Sequence, residues 1–370
     1  MLESLIAQIE KPTLLLDKQR AVRNIDRMAA KASRNGVVLR PHFKTHQSAE
    51  IGEWFRDRRV DAITVSSVDM AEYFVDNGWG DVTIAFPANP RQSWRLNKLA
   101  GRAQIGVLVE SEAIVQLLND ELSEKVRVWL KIDAGYHRTG IPWDDFNSIE
   151  RTALAVIHSD HLLLKGILTH AGHTYHSRSA EDIEEIYLQV LDRMKQVRHH
   201  LDLRDIKVSI SVGDTPGCSI VEDLGEVDEI RPGNFVFFDL SQLVFGSCRV
   251  EDIAVAVACP VVSIHPDRNQ IIIYGGAIHL SKELLPGTKG KDVFGKVVLA
   301  GPEGWTTIDE GNEIISLSQE HGIVQAIDGL IGRTKVGDIL LVLPVHSCLT
   351  ANLLGHYLTL DGQFIEMARY

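Results

Sequence analysis

An α/β fold is predicted for this chain, an N-terminal TIM-type (β/α)8 barrel followed by a C-terminal all-β domain. Three observations predict it. Short β-rich apolar runs alternate with longer amphipathic stretches over the first two-thirds of the sequence. Those runs number eight, and eight βα units need roughly 200–250 residues. Beyond about Cys248 the helical period fades, and β-branched runs punctuated by Gly and Pro take over. At 370 residues the chain exceeds a typical single domain, which suits one large unit and one smaller one. The boundaries expected are 12–245 for the barrel and 246–370 for the β-domain, with 1–11 packing on the latter.

The eight runs are Val37–Leu39, Ala62–Ser67, Asp81–Phe86, Gln104–Glu110, Val126–Asp133, Leu162–His170, Ile206–Gly213 and Glu229–Phe235. Helical periodicity separates most of them, as in Asp69–Asn77 and Ala180–His199. Such alternation predicts parallel βαβ units. An open doubly wound sheet is the alternative, but no G-x-G-x-x-G marks a first βα turn. In the C-terminal part the strand runs are Ile253–Val262, Gln270–Tyr274, Lys296–Ala300, Asp338–Val345 and Tyr357–Leu360. Thr13–Asp17 is strand-like and precedes the eight, so it reads as a lead-in from the β-domain.

Composition narrows the function. With 38 basic and 50 acidic residues the net charge is −12, which argues against nucleic acid as a partner, since that needs a basic face. No basic segment precedes the first apolar residues, and no apolar run is long enough for a membrane span. The four cysteines, Cys218, Cys248, Cys259 and Cys348, are scattered without CxxC spacing. A reduced, cytoplasmic protein is therefore expected.

In a TIM barrel, chemistry lies at the C-terminal ends of the strands. Five predicted strands end in polar or Gly-rich segments there. The first runs into Arg40-Pro41-His42-Phe43-Lys44-Thr45-His46, and the fifth into Asp133-Ala134-Gly135-Tyr136-His137-Arg138-Thr139-Gly140. The sixth ends in Thr169-His170-Ala171-Gly172-His173-Thr174-Tyr175-His176. The last two end in Gly213-Asp214-Thr215-Pro216-Gly217 and Arg231-Pro232-Gly233-Asn234. Lys44 is the sharpest of these. A lysine at a barrel mouth is expected to be partly desolvated, as a Schiff-base lysine needs; alone, it reads more readily as a rim lysine, snorkelling or paired with a carboxylate. Small residues at 213–217 would let a phosphate approach backbone N–H groups, although a plain turn has the same composition. Near the end, His346 and Cys348 are two apart on a predicted strand end and share a face. Imidazole and thiolate form a zinc-preferring pair, while a buried cysteine beside a structural histidine is the simpler alternative.

Together these segments resemble the fold-type III pyridoxal 5'-phosphate (PLP) enzymes, the alanine racemase-like group, and within it the D-threonine aldolase / D-serine dehydratase family. The most specific pieces are PHFKTH, GILTHAGHTY, RPGN and HSC. The resemblance implies that Lys44 carries PLP and that His170 lies against the pyridine ring, with Tyr175 in the same pocket. It implies that Arg138 lies near the cofactor hydroxyl or the substrate carboxylate. Gly213, Thr215, Gly233 and Asn234 match the phosphate cup. His346 and Cys348 match a divalent-metal pair, with zinc expected first and manganese or magnesium as alternatives. A homodimer and a small D-amino acid substrate are implied too. Asp214 departs from the pattern, since an acid beside a phosphate is unfavourable unless it points away. The tyrosine motif that supplies the second base of alanine racemases is not evident.

The family's dehydratases tend to carry H-x-C and its aldolases H-x-D. Cys348 therefore points to dehydration of D-serine or a D-3-hydroxyaspartate-like compound to a keto acid and ammonia. Aldol cleavage to glycine and an aldehyde is the alternative. A metal-free racemase and a non-catalytic PLP carrier are the further readings, the latter disfavoured by the extra β-domain.

Overall fold

The computed structural model describes residues 2–177, 179–288, 290–301, 304–327 and 329–369. The chain divides into two compact units. One consists of Asp26–Lys44 and Gly52–Gly233 and is called the parallel unit. The other takes in the N-terminal segment to Ile25, Thr45–Ile51 and Asn234–Arg369, and is called the antiparallel unit. The division falls between Lys44 and Thr45 and between Gly233 and Asn234, inside two of the predicted motifs.

Strand β1 (Thr13–Leu16) comes first. The parallel unit then contains β2 (Val38–Leu39), β3 (Ile63–Val65), β4 (Asp81–Pro87), β5 (Gln104–Val109), β6 (Val126–Asp133), β7 (Leu162–Leu168), β8 (Ser209–Val212) and β9 (Glu229–Ile230). All pair in parallel in the order β2-β9-β8-β7-β6-β5-β4-β3. The ring closes between β2 and β3, where Phe43 N–H donates to Thr64 O and Thr64 N–H to Pro41 O, both at 2.9 Å. The TIM-type barrel of eight strands is thus present. Its last strand ends at Ile230 rather than Phe235, because Pro232 has no N–H to extend a ladder.

The barrel strands are short apolar runs because both faces are covered. Trp129 fills the interior with Leu108 and Leu168 around it. That ring has room only because position 166 is glycine. A Cβ there would lie 2.7 Å from the Trp129 ring and 2.2 Å from Ser209 O. On the outside, helices start at side-chain caps. Ser67 Oγ accepts from Met70 N–H before α1 (Val68–Asp76), and Ser179 Oγ accepts from Asp182 N–H before α2 (Ala180–Asp202). Each satisfies an otherwise unpaired amide of the first turn.

The antiparallel unit is built on β10 (Val255–His265), β11 (Gln270–Tyr274), β12 (Gly295–Gly301), β13 (Gly304–Leu317), β14 (His321–Gln325), β15 (Ile339–Pro344), β16 (His356–Thr359) and β17 (Phe364–Glu366). With β1 they form one nine-stranded sheet, in the order β11-β14-β13-β12-β15-β10-β1-β16-β17. β11 also pairs with β10, which closes six of the strands into a barrel. β1 runs antiparallel to β10, Leu15 opposite Ala256, and so belongs to this sheet. Three strands of this sheet were not anticipated: β13, β14 and β17. β13 runs for 14 residues through Asp309-Glu310-Gly311-Asn312, an acidic, glycine-containing stretch that hides the alternation of a strand. No helix among the described residues is long and apolar enough to cross a membrane.

Candidate active site

The parallel unit brings its predicted residues to the C-terminal rim of the barrel, each on the loop after a strand. Lys44 lies in the turn that follows β2. Its backbone N–H meets His42 Nδ1 at 3.4 Å, and its side chain is exposed. The partial burial expected for this lysine is therefore not found. Arg138 is likewise exposed on the loop after β6, its guanidinium 5.0 Å from the centre of the Tyr136 ring.

His170 follows β7. Its Nδ1 lies 2.5 Å from Gly213 O. A carbonyl only accepts, so Nδ1 carries the proton and Nε2 holds the lone pair when the ring is neutral. Neutrality is enforced: burial, then the charges of Lys44 and Arg138, hold the imidazole well below its ordinary range. His42 is kept neutral in the same way, by burial and then by Lys44 and Arg231. Tyr136 sets its ring edge-on to His170, at 5.9 Å.

The phosphate-cup residues come together from three loops. Thr215 N–H points at Tyr175 Oη at 3.5 Å, and Gly233 N–H at Thr215 Oγ1 at 3.3 Å. Gly213 must be glycine, since a Cβ there would meet Arg231 Cβ at 2.9 Å. Asp214 points away from the cup. It caps α3 (Thr215–Ile220), accepting from Gly217 N–H at 2.6 Å and Thr174 Oγ1 at 3.1 Å. Burial pushes its carboxyl up to about 6. The anion beside the phosphate loop, unfavourable on sequence grounds, is accounted for by that orientation.

Two residues here were missed as site residues. Arg231, read only as part of a turn, is buried and donates through Nε to Ser211 Oγ at 2.7 Å and through Nη2 to Thr169 O. Burial brings it down to about 10, opposed by Glu229. Lys131 is buried on β6, donates to Ile132 O at 2.9 Å, and is lowered to about 7, by burial first and then by Arg231. A lysine inside the apolar run VRVWLKID was the signal for it.

The other predicted pair lies wholly in the antiparallel unit. His346 and Cys348 lie beyond the end of β15 rather than on a strand face as expected, His346 at the N-cap position of α5 (Ser347–Leu354) and Cys348 in its first turn; α4 (Leu240–Val244) precedes them in the chain. His346 is half-buried, with Nδ1 3.6 Å from Asp239 Oδ2. Cys348 is buried, its Sγ 3.3 Å from Thr45 Oγ1 and 3.6 Å from Asn234 Nδ2. Thr45 and Asn234 directly follow Lys44 and Gly233 in the sequence. The Asn234 side chain thus faces the His/Cys turn. Among the described residues no group of three or more His, Cys, Asp or Glu could hold a metal ion. A metal held by the pair would need further ligands, from water or substrate. The donor chemistry, imidazole with thiolate, suits zinc.

The candidate phosphate-cup residues, a neutral histidine and a rim lysine thus lie at four strand ends of one barrel. The chain belongs to the alanine racemase-like family of PLP-dependent lyases that act on small amino acids: residues 16–241 match the alanine racemase N-terminal domain, and residues 254–360 the putative serine dehydratase domain. It is 30% identical over 362 residues to the D-threo-3-hydroxyaspartate dehydratase of Delftia sp. (strain HT23), covering 94% of this chain and 93% of that one. It is 29% identical over 390 residues to the D-serine dehydratase of Dictyostelium discoideum, covering 98% and 96%. The solved structure of the Delftia enzyme superposes with a TM-score of 0.90 at 29% identity, with 99% of each chain covered. A cysteine-to-alanine mutant of a D-threo-3-hydroxyaspartate dehydratase, solved in the metal-free form, gives 0.91 at 28% identity, again over 99% of each chain.

Proposed function

We propose that this chain is a PLP- and divalent-metal-dependent lyase that dehydrates D-3-hydroxy amino acids, D-serine or a D-3-hydroxyaspartate, to a keto acid and ammonia. The observation that carries this reading is the His346/Cys348 pair, set together at one turn of the antiparallel unit. PLP, when bound, supplies an electron sink for the substrate's Cα. Lys44 would hold it covalently, its side chain being exposed at the strand end. Gly213, Thr215, Gly233 and the backbone of Asn234 would bind the phosphate, with Tyr175 at its edge. His170, neutral and fixed by Gly213 O, would pack on the ring without adding charge. Arg138 would face the cofactor hydroxyl or the substrate carboxylate. Lys44 then takes the α-proton on Nζ.

A metal held by His346 and Cys348, zinc first, supplies Lewis acidity toward the β-hydroxyl. The relatives support this: dehydratase names recur at about this level of identity, and loss of a cysteine accompanies a metal-free structure in one of them. We also propose a homodimer, and a domain boundary near 245. Separate incubations with D-serine and D-threonine test the reading. Pyruvate and ammonia are expected from D-serine. Glycine and acetaldehyde from D-threonine, with no keto acid from D-serine, would make the chain an aldolase instead.

A further inference from the structure

We propose that Asp239 is the positioning residue of the His346–Ser347–Cys348 turn and sets how tightly that turn holds a divalent cation. The inference rests on the metal-pair reading above and adds a residue to it. Asp239 is fully buried in the antiparallel unit. Its two oxygens do different things. Oδ1 accepts from Gln242 N–H at 3.0 Å and caps α4. Oδ2 accepts from Asn234 Nδ2 at 2.6 Å, Ser347 N–H at 2.9 Å and Ser347 Oγ at 3.2 Å. The same Oδ2 lies 3.6 Å from His346 Nδ1.

A helix cap needs only one oxygen, and Ser or Asn provides it without burying a charge. The second oxygen is what the cap leaves unexplained. It gathers donors from the chain before α4 and from the turn that carries both metal-ligand candidates. His346 presents Nδ1 to that oxygen. A histidine that binds a metal through one ring nitrogen commonly directs the other at a carboxylate, which fixes the ring and raises its basicity. Cys348 is reached indirectly, since Asn234 Nδ2 touches both Asp239 and Cys348 Sγ. The turn is also strapped from its other side: Ser241 N–H and Oγ both donate to Val345 O, at 3.2 and 2.8 Å. The residues before and after His346 are thus fixed by the first turn of α4 and by the Asp239 carboxyl group.

The test is zinc affinity of the full-length holoenzyme, measured by competition with a chromophoric chelator. D239N keeps the size of the side chain and can still cap α4. It is expected to bind zinc about 10–100-fold more weakly than the parent chain, with the visible absorption of bound PLP unchanged. Should D239N fail to fold, N234A removes one donor from Oδ2 and the contact to Cys348, and a several-fold weakening is expected there. Zinc affinity within twofold of the parent in a folded D239N, or in N234A where D239N does not fold, overturns the proposal. H346A and C348A separate the two levels. If they lose zinc while D239N keeps it, only the role of Asp239 falls. If they bind zinc as the parent does, the metal-pair reading falls and takes this one with it.

Discussion

The rim of the parallel unit and the His346–Cys348 turn of the antiparallel unit are built on opposite principles. On the rim, chemistry-bearing side chains are drawn from several strand ends, and two of them, Lys44 and Arg138, are exposed. In the turn, both candidate ligands come from one three-residue segment, and buried hydrogen bonds from Asp239, Asn234 and Thr45 hold it. The first arrangement suits a cofactor that must exchange its covalent partner at each turnover. The second suits an ion that stays in place while substrate comes and goes. The two regions should therefore fail separately.

The largest effect is expected at Lys44. K44A should abolish the visible absorption of lysine-bound PLP and lower turnover by roughly 10²–10⁴-fold, the usual contribution of a general base, while leaving zinc content intact. An absorption spectrum and a metal assay on the same sample check this. C348A should do the reverse, losing zinc and dehydration while the absorption persists. If either variant loses both, the two regions are not independent.

Acid sharpens the contrast at the next level. Burial lowers His46 from 6.5 to about 3, and His42 and His170 are depressed as well. A histidine whose folded pKa is depressed contributes stability above its unfolded pKa and loses it as pH falls. The melting temperature should therefore drop progressively below pH 6.5. Asp214 has the opposite sign. Its pKa is raised from 3.8 to about 6, so it contributes stability at low pH that is lost as pH rises through that window. H46Q should flatten the acid limb of the melting-temperature curve, and D214N should steepen it. At neutral pH, D214N should have the smallest effect of these, below about 1 kcal/mol, because Asn also caps helices well.

The same contrast explains what could be read from the sequence. The barrel and its rim were legible because strand–helix alternation fixes where each loop must lie, and polar residues at five strand ends stand out against apolar strands. The cofactor residues drew in addition on the family resemblance. Asp214 could be flagged as anomalous but not oriented, since only its bonds to Gly217 and Thr174 show where it points. Lys44 was expected to be desolvated, and the turn exposes it. Arg231 looked like a turn residue because its neighbours are Pro and Gly, yet its side chain runs back into the barrel. In the antiparallel unit, β13 escaped because its polar centre breaks the period of two. Asp239 lies more than 100 residues from His346 in the chain, so no local pattern could connect them. D-L-S-Q at 239–242 announces a helix start and nothing more.

The division of labour between the two regions is tested most directly by stripping zinc with a chelator from the PLP-loaded enzyme and giving it D-serine in deuterated water. The visible cofactor absorption should persist, Cα of D-serine should still exchange its proton with solvent, and pyruvate should form only when zinc is returned. Undiminished pyruvate formation by the stripped enzyme, or loss of Cα exchange together with dehydration, would contradict it.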